Sequence, residues 1–149
     1  GRQYGIDGDT RCNHNDPLPS PFKSRPRIGA RLFVRGNTKR FLDALLNELC
    51  NWTSGTRKQS AQLMSTLVIY CEESLTMDFH NTLAGIVKAL RKCRHTETEG
   101  SLDKESQDLQ NNLEILLITL GRYVDPEVYV PLLSKRIQVL GNAESATSF

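Results

Sequence analysis

Apolar residues return at helical spacing along most of this chain, and they do so in stripes separated by polar breaks. Leu42, Leu45, Leu46 and Leu49 stand at i, i+3, i+4 and i+7, which places them on one face of a helix. Asn37 is positioned to cap it. After the break "NWTSGT", Ala61, Met64, Val68 and Cys71 form a second stripe, widened by Leu63 and Leu67. Phe79, Leu83, Ile86, Val87, Leu90 and Cys93 form a third, with Thr76 as its expected cap. Leu109, Leu113, Leu116, Leu117 and Leu120 form a fourth, and Ile115 and Ile118 widen it until cover on two sides is expected. Asp125 as cap and Pro126 at the first helical position start a fifth, in which Pro131 predicts a kink. The closing "GNAESATSF" reads as a further helix only just begun.

No segment alternates with period two for long enough to read as a strand, so the expected class is all-α. The first helices of successive pairs begin near residues 38, 78 and 126, intervals of about 40 and 48, the range of HEAT and armadillo repeats. The expected architecture is an α-solenoid of HEAT-type antiparallel helix pairs, about two and a half repeats over residues 28–149. Residues 1–27, with their glycines and prolines and little periodicity, read as a flexible lead-in. The competing architecture is a compact helical bundle, because short loops and apolar stripes serve both. The polar insert "RHTETEGSLDKESQ", residues 94–107, reads as a solvated loop running into a helix start.

At 149 residues the chain is long enough to bury a core without staples. A net charge of +2 does not mark a bulk nucleic-acid binder, and no run is long and apolar enough to span a bilayer. The polar start "GRQYGIDGDTRCNHND" has no apolar centre of the kind a signal peptide needs. The triplet Asn51-Trp52-Thr53 fits a glycosylation acceptor but, with nothing else pointing to secretion, reads as accidental. Cys12, Cys50, Cys71 and Cys93 make no C-x-x-C pair. Three lie on apolar stripes, where a reduced buried thiol packs as a small hydrophobe. The C-x-H pairs Cys12/His14 and Cys93/His95 fall short of a four-ligand metal set. No nucleophile elbow, H-E-x-x-H or phosphate-cradling loop occurs, and His80 beside Phe79 reads as a helix-surface residue. An enzyme, a metal site and a cofactor are therefore not expected.

One charge feature stands out. Between Asp16 and Asp43 there is no acidic residue, while Lys23, Arg25, Arg27, Arg31, Arg35, Lys39 and Arg40 supply seven cations. Were this run helical, Arg27, Arg31, Arg35 and Lys39 would share one stripe, although Gly29, Gly36 and Asn37 argue against an unbroken helix. A solvated basic face is one reading and a dock for an acidic protein partner at Arg27, Arg31, Arg35, Lys39 and Arg40 the other. Nucleic acid ranks below both, since only Phe33 is interleaved for stacking. On either reading, reversing Arg27, Arg31 and Arg35 to Glu is expected to leave stability nearly unchanged.

In a HEAT repeat a basic residue early in the second helix precedes a small residue that lets the helices approach. Arg57 and Ala61 occupy those places here, with Gly55 loosening the turn and Trp52 expected to lie over the helix ends as a hydrophobic lid. With its flanks included, the chain resembles the dynein axonemal assembly factor 5 family of HEAT-repeat proteins. The resemblance is carried by Arg25-Pro26, Gly29 and Arg31; by Trp52, Gly55, Thr56, Arg57 and Ser60-Ala61-Gln62-Leu63; and by Pro126-Glu127-Val128. It runs from about residue 25 to residue 147 in the family's order and weakens between Arg94 and Gln107. The resemblance implies a cytoplasmic, non-enzymatic scaffold, here a piece of a longer solenoid, supporting preassembly of axonemal dynein arms for motile cilia or flagella. The partners it implies are axonemal dynein chains, other assembly factors or chaperones.

Overall fold

A computed structural model of the chain describes residues 18–97 and 104–146. Six α-helices follow one another: α1 (Ile28–Asn37), α2 (Leu42–Glu48), α3 (Ser54–Cys71), α4 (Phe79–Glu97), α5 (Lys104–Tyr123) and α6 (Pro126–Ala146). Short 3-10 turns occupy Thr38–Arg40 and Glu72–Asp78, and no strand occurs among the described residues.

The basic run is helical, and it stops for a local reason. At the end of α1 the Asn37 side-chain amide donates to the Phe33 carbonyl and the Thr38 hydroxyl to the Val34 carbonyl. Side chains that bond back to the preceding turn take carbonyls from the ladder and bend a helix. Asn37 is thus a terminator of α1, not the cap of α2 that its place in the sequence suggested. The ladder resumes at once, since the Leu45 amide donates to the Phe41 carbonyl. Together α1 and α2 form one bent first helix, whose partner is α3.

Leu42, Leu45, Leu46 and Leu49 from α2 meet Ala61, Met64, Leu67, Val68 and Cys71 from α3 in one core. Its continuation is Phe79, Leu83, Ile86 and Leu90 of α4 with Leu109, Leu113, Leu116 and Leu120 of α5. The stacking is in two layers. Second helices lie against each other, with α3 on α5 the most extensive contact in the fold, while α2 packs on α4. A Cβ added at Gly85 of α4 would come within 3.0 Å of Leu46 Cδ2, so glycine sets how closely those two first helices approach. The Phe79 and Tyr129 rings, 6.0 Å apart, bring the start of α6 against the start of α4. Helix pairs in layers, each against the next, make an α-solenoid rather than a bundle around one axis.

Turns of successive repeats are tied across the stack. Lys92 of α4 donates to the Cys50 carbonyl at 2.8 Å, closing the C-terminal end of α2. The Asp125 amide donates to the Thr76 hydroxyl, and Asp125 Oδ1 accepts from the Glu127 amide as α6 begins at Pro126. Thr76 therefore serves a neighbouring turn instead of capping α4.

Several expectations are corrected. Trp52 is 88% exposed and lies over nothing, because the Asx turn made by Asn51 Oδ1 with the Thr53 amide directs the chain into α3 without it. Gly55 stands inside the first turn of α3 rather than in the loop. Helix α4 continues to Glu97, so polar sequence at 94–97 is helical rather than loop, while α5 starts at Lys104 within the polar stretch expected to run into a helix. Residues 126–146 form one helix carried through Pro131, with no separate helix begun at Gly141. Both α3 and α4 pack on α5, but Ile115 and Ile118 are 48% and 61% exposed, so the part of the stripe they widen is left uncovered. Cys71 and Cys93 are buried thiols outside any disulfide, and Cys50, likewise unbridged, is half-buried. Burial pushes the Cys71 thiol up from its ordinary value, opposed by its contact with the Thr38 hydroxyl at 3.0 Å. Cys12, His14 and the side chain of His95 lie outside the described residues.

Candidate protein-docking surface

The seven cations divide into two groups with different work. Arg31 and Arg35, one turn apart on α1, point inward with Arg25 onto a single carboxylate, that of Glu72 at the end of α3. Arg25 makes a bidentate pair through Nε and Nη2 at 2.6 Å each, Arg31 Nη2 lies 2.5 Å and Arg35 Nη2 3.0 Å from Glu72 Oε2. Arg35 also reaches Glu73 at 2.8 Å. Glu72 is fully buried and Arg31 nearly so. The Arg31 guanidinium is drawn below the ordinary arginine value, by burial first, with Glu72 opposing and the two neighbouring arginines adding to it.

Glu72 sits in this place at a conformational cost. Its φ is +48°, a backbone region that favours glycine and typically costs a side-chain-bearing residue on the order of 1–3 kcal/mol. The residue turns the chain out of α3 and aims its carboxylate back at α1. Three guanidinium groups hold it there, fastening α1 and the segment before it to the solenoid. Phe22 adds an edge-on contact to Tyr70 with ring centroids 6.1 Å apart. The first helix thus keeps its seat by a long-range charge cluster rather than by its own propensity.

Arg31 and Arg35 are consequently not a free surface. The expectation that reversing Arg27, Arg31 and Arg35 leaves stability unchanged is corrected, since two of the three substitutions would place carboxylates against buried Glu72. Arg27, Lys39 and Arg40 remain exposed and enter none of these pairs. Lys23 is exposed as well.

On α1 the apolar side chains of Ile28, Leu32 and Phe33 are 55%, 58% and 73% exposed. These were overshadowed in the sequence by the arginines between them. Gly29 and Gly36 share the outer side of α1, and a Cβ at either would meet nothing within 4 Å. A second surface feature is the open groove between α2 and α4, where Asp43, Asn47, Asn81 and Lys88 mix charges and Asn81 donates to Asp43 at 2.7 Å. Among the described residues no group of acidic, histidine and cysteine side chains is arranged to hold a metal, and no helix is long and apolar enough to cross a membrane. His80 is exposed on α4.

Glu72 is the residue that sequence reasoning missed. Its signal was indirect: arginines at i and i+4 with no acid nearby, and an acidic pair, Glu72-Glu73, directly following an apolar stripe.

Comparison with known proteins agrees with this architecture. The family described as Dynein axonemal assembly factor 5, HEAT-repeat domain, matches residues 17–147. Dynein axonemal assembly factor 5 of Xenopus laevis is 28% identical over 131 residues, covering 86% of this chain and 14% of that protein. The Homo sapiens protein of that name is 29% identical over 117 residues, 78% of this chain and 12% of its own length. The chain therefore spans roughly an eighth of the curated relatives it matches. No solved structure matches it.

Proposed function

This chain belongs to the dynein axonemal assembly factor 5 HEAT-repeat family, and from that premise we propose that it is a non-enzymatic scaffold segment in the cytoplasmic preassembly of axonemal dynein arms. The observation that carries the reading is the family match across residues 17–147. Its partners are proteins: axonemal dynein chains, and other assembly factors or chaperones that handle them before the arms enter motile cilia or flagella. A scaffold acts through surface. Among the described residues, Arg27, Lys39 and Arg40 are exposed cations that the Glu72 cluster does not use, and an acidic partner fits there.

Removal of the protein from ciliated cells tests the reading. The expected result is axonemes that keep their microtubules and lose dynein arms, with dynein heavy chains left unassembled in the cytosol. Normal arms in its absence would remove the proposed role.

A further inference from the structure

We propose that the groove between α2 and α4 is a docking site for an extended segment of a partner protein that carries a cation and an anion three residues apart. The inference adds a contact to the scaffold reading. It rests on the geometry of two consecutive helix pairs and not on the exposed cations at Arg27, Lys39 and Arg40.

Both walls of the groove are described helices, and they are tied to each other at each end. Asn81 of α4 donates to Asp43 of α2 at 2.7 Å, and further along Lys92 donates to the Cys50 carbonyl at 2.8 Å. Bonds in that order make the two helices run in the same direction. On α4 Asn81, Gly85 and Lys88 stand at i, i+4 and i+7, and Asp43, Asn47 and Cys50 stand at the same spacing on and just beyond α2. The helices close on each other at Gly85 and Leu46, which form the floor. Above it an open space of about 320 Å³ remains.

The charges of the groove are separated along its length. Asp43 stands at one end, and Lys88 lies two turns along α4 from the asparagine bonded to it, about 10 Å away. Both are exposed, and among the described residues neither enters an ion pair. A complementary ligand therefore sets a Lys or Arg on Asp43 and an Asp or Glu on Lys88. A polyproline II segment rises about 3.1 Å per residue and returns to the same side every third residue, so side chains at i and i+3 match that separation. Two charges of one sign would meet a repulsion at one end.

Asn47 favours an extended segment over a helix. It is exposed in the wall, and among the described residues its side-chain amide has no hydrogen-bond partner. Extended backbone carries unused amide and carbonyl groups that such a side chain can pair, whereas a helix satisfies its own. A helix about 10 Å across is also too wide for the space above Gly85.

The test uses the 149-residue chain and capped synthetic peptides of about eight residues. Two carry Lys-Pro-Ala-Glu and its reverse, Glu-Pro-Ala-Lys, at their centre, since the charges alone do not fix the direction of the segment. Two controls carry Lys or Glu at both charged positions. At least one mixed peptide is expected to bind with a Kd on the order of 0.1–1 mM, followed by amide chemical shifts, and each control at least fivefold more weakly. Binding should weaken with salt and should slow alkylation of half-buried Cys50, read by peptide mapping. Asp43→Asn, which keeps an acceptor for Asn81, and Lys88→Gln should each weaken the mixed peptide at least fivefold with circular dichroism unchanged. No binding of either mixed peptide at several millimolar, equal binding of the controls, or full binding by both variants overturns the proposal. So does tighter binding of a helical peptide with its two charges at i and i+7, which would give the groove to a helix. These measurements need only the purified chain, so their failure leaves the role in dynein assembly standing, and failure of that role leaves the peptide result standing.

Discussion

Replacing Glu72 with Ala should destabilise the fold by about 3–5 kcal/mol, the usual cost of removing one partner from a buried ion pair. Glu72 has no exposed surface, and its carboxylate is the shared partner of Arg25, Arg31 and Arg35. Without it Arg31 stays buried among two other guanidinium groups, and the positive φ at residue 72 brings no return. With a total stability of about 5–15 kcal/mol for a domain, this loss takes a large share. Urea denaturation followed by circular dichroism measures it. Glu72→Gln, which keeps the shape and removes the charge, should behave much like Ala. Glu73→Ala should cost under about 1 kcal/mol, because Glu73 is partly exposed and its ion pair among the described residues is with Arg35. A Glu72→Ala protein within about 1 kcal/mol of the parent would show that the cluster does not hold α1 in place.

The second large effect lies between the repeats. Leu116 of α5 is fully buried in the core that joins the two helix pairs, and Leu116→Ala should cost about 2–5 kcal/mol through lost burial and the cavity left behind. Two residues along, Ile118→Ala should stay within about 0.5 kcal/mol, because Ile118 points out of the stack. The contrast carries the information. In a solenoid the second helix of a pair is gripped on the side of its neighbours and open on the other. Similar losses at both positions, by chemical denaturation, would mean that α5 is surrounded and that the helices form a bundle.

Much of this was legible because helical periodicity is local. Leu109, Leu113, Leu116 and Leu120 announce α5 in sequence, and all four are buried. The paired stripes and their spacing likewise carried the stacked architecture. What escaped detection was set by partners far away in the chain. Gly29 and Gly36 weigh against a helix at α1, yet a carboxylate 41 residues from Arg31 holds the helix in place, and tertiary contacts override propensity. No local pattern reports such a pair. Lys104 to Asp108 contain no apolar residue, so the sequence marks a helix start near them without fixing where it begins, and the first turn of α5 is built from them. The same blindness affected the candidate surface. A run of arginines looked like one basic face, whereas burial divides it into a structural cluster on Glu72 and a few exposed cations.

The scaffold account is tested most directly by capture of axonemal dynein chains from ciliated-cell cytosol, comparing this chain with its Arg27→Glu/Lys39→Glu/Arg40→Glu variant. These three side chains are exposed, so the variant should keep its helicity and melting temperature. The account predicts that the parent chain recovers axonemal dynein chains or their assembly factors, that recovery weakens as salt is raised, and that the variant recovers several-fold less. A folded parent chain that recovers none of them, or a variant that recovers them equally at every salt concentration, would contradict it.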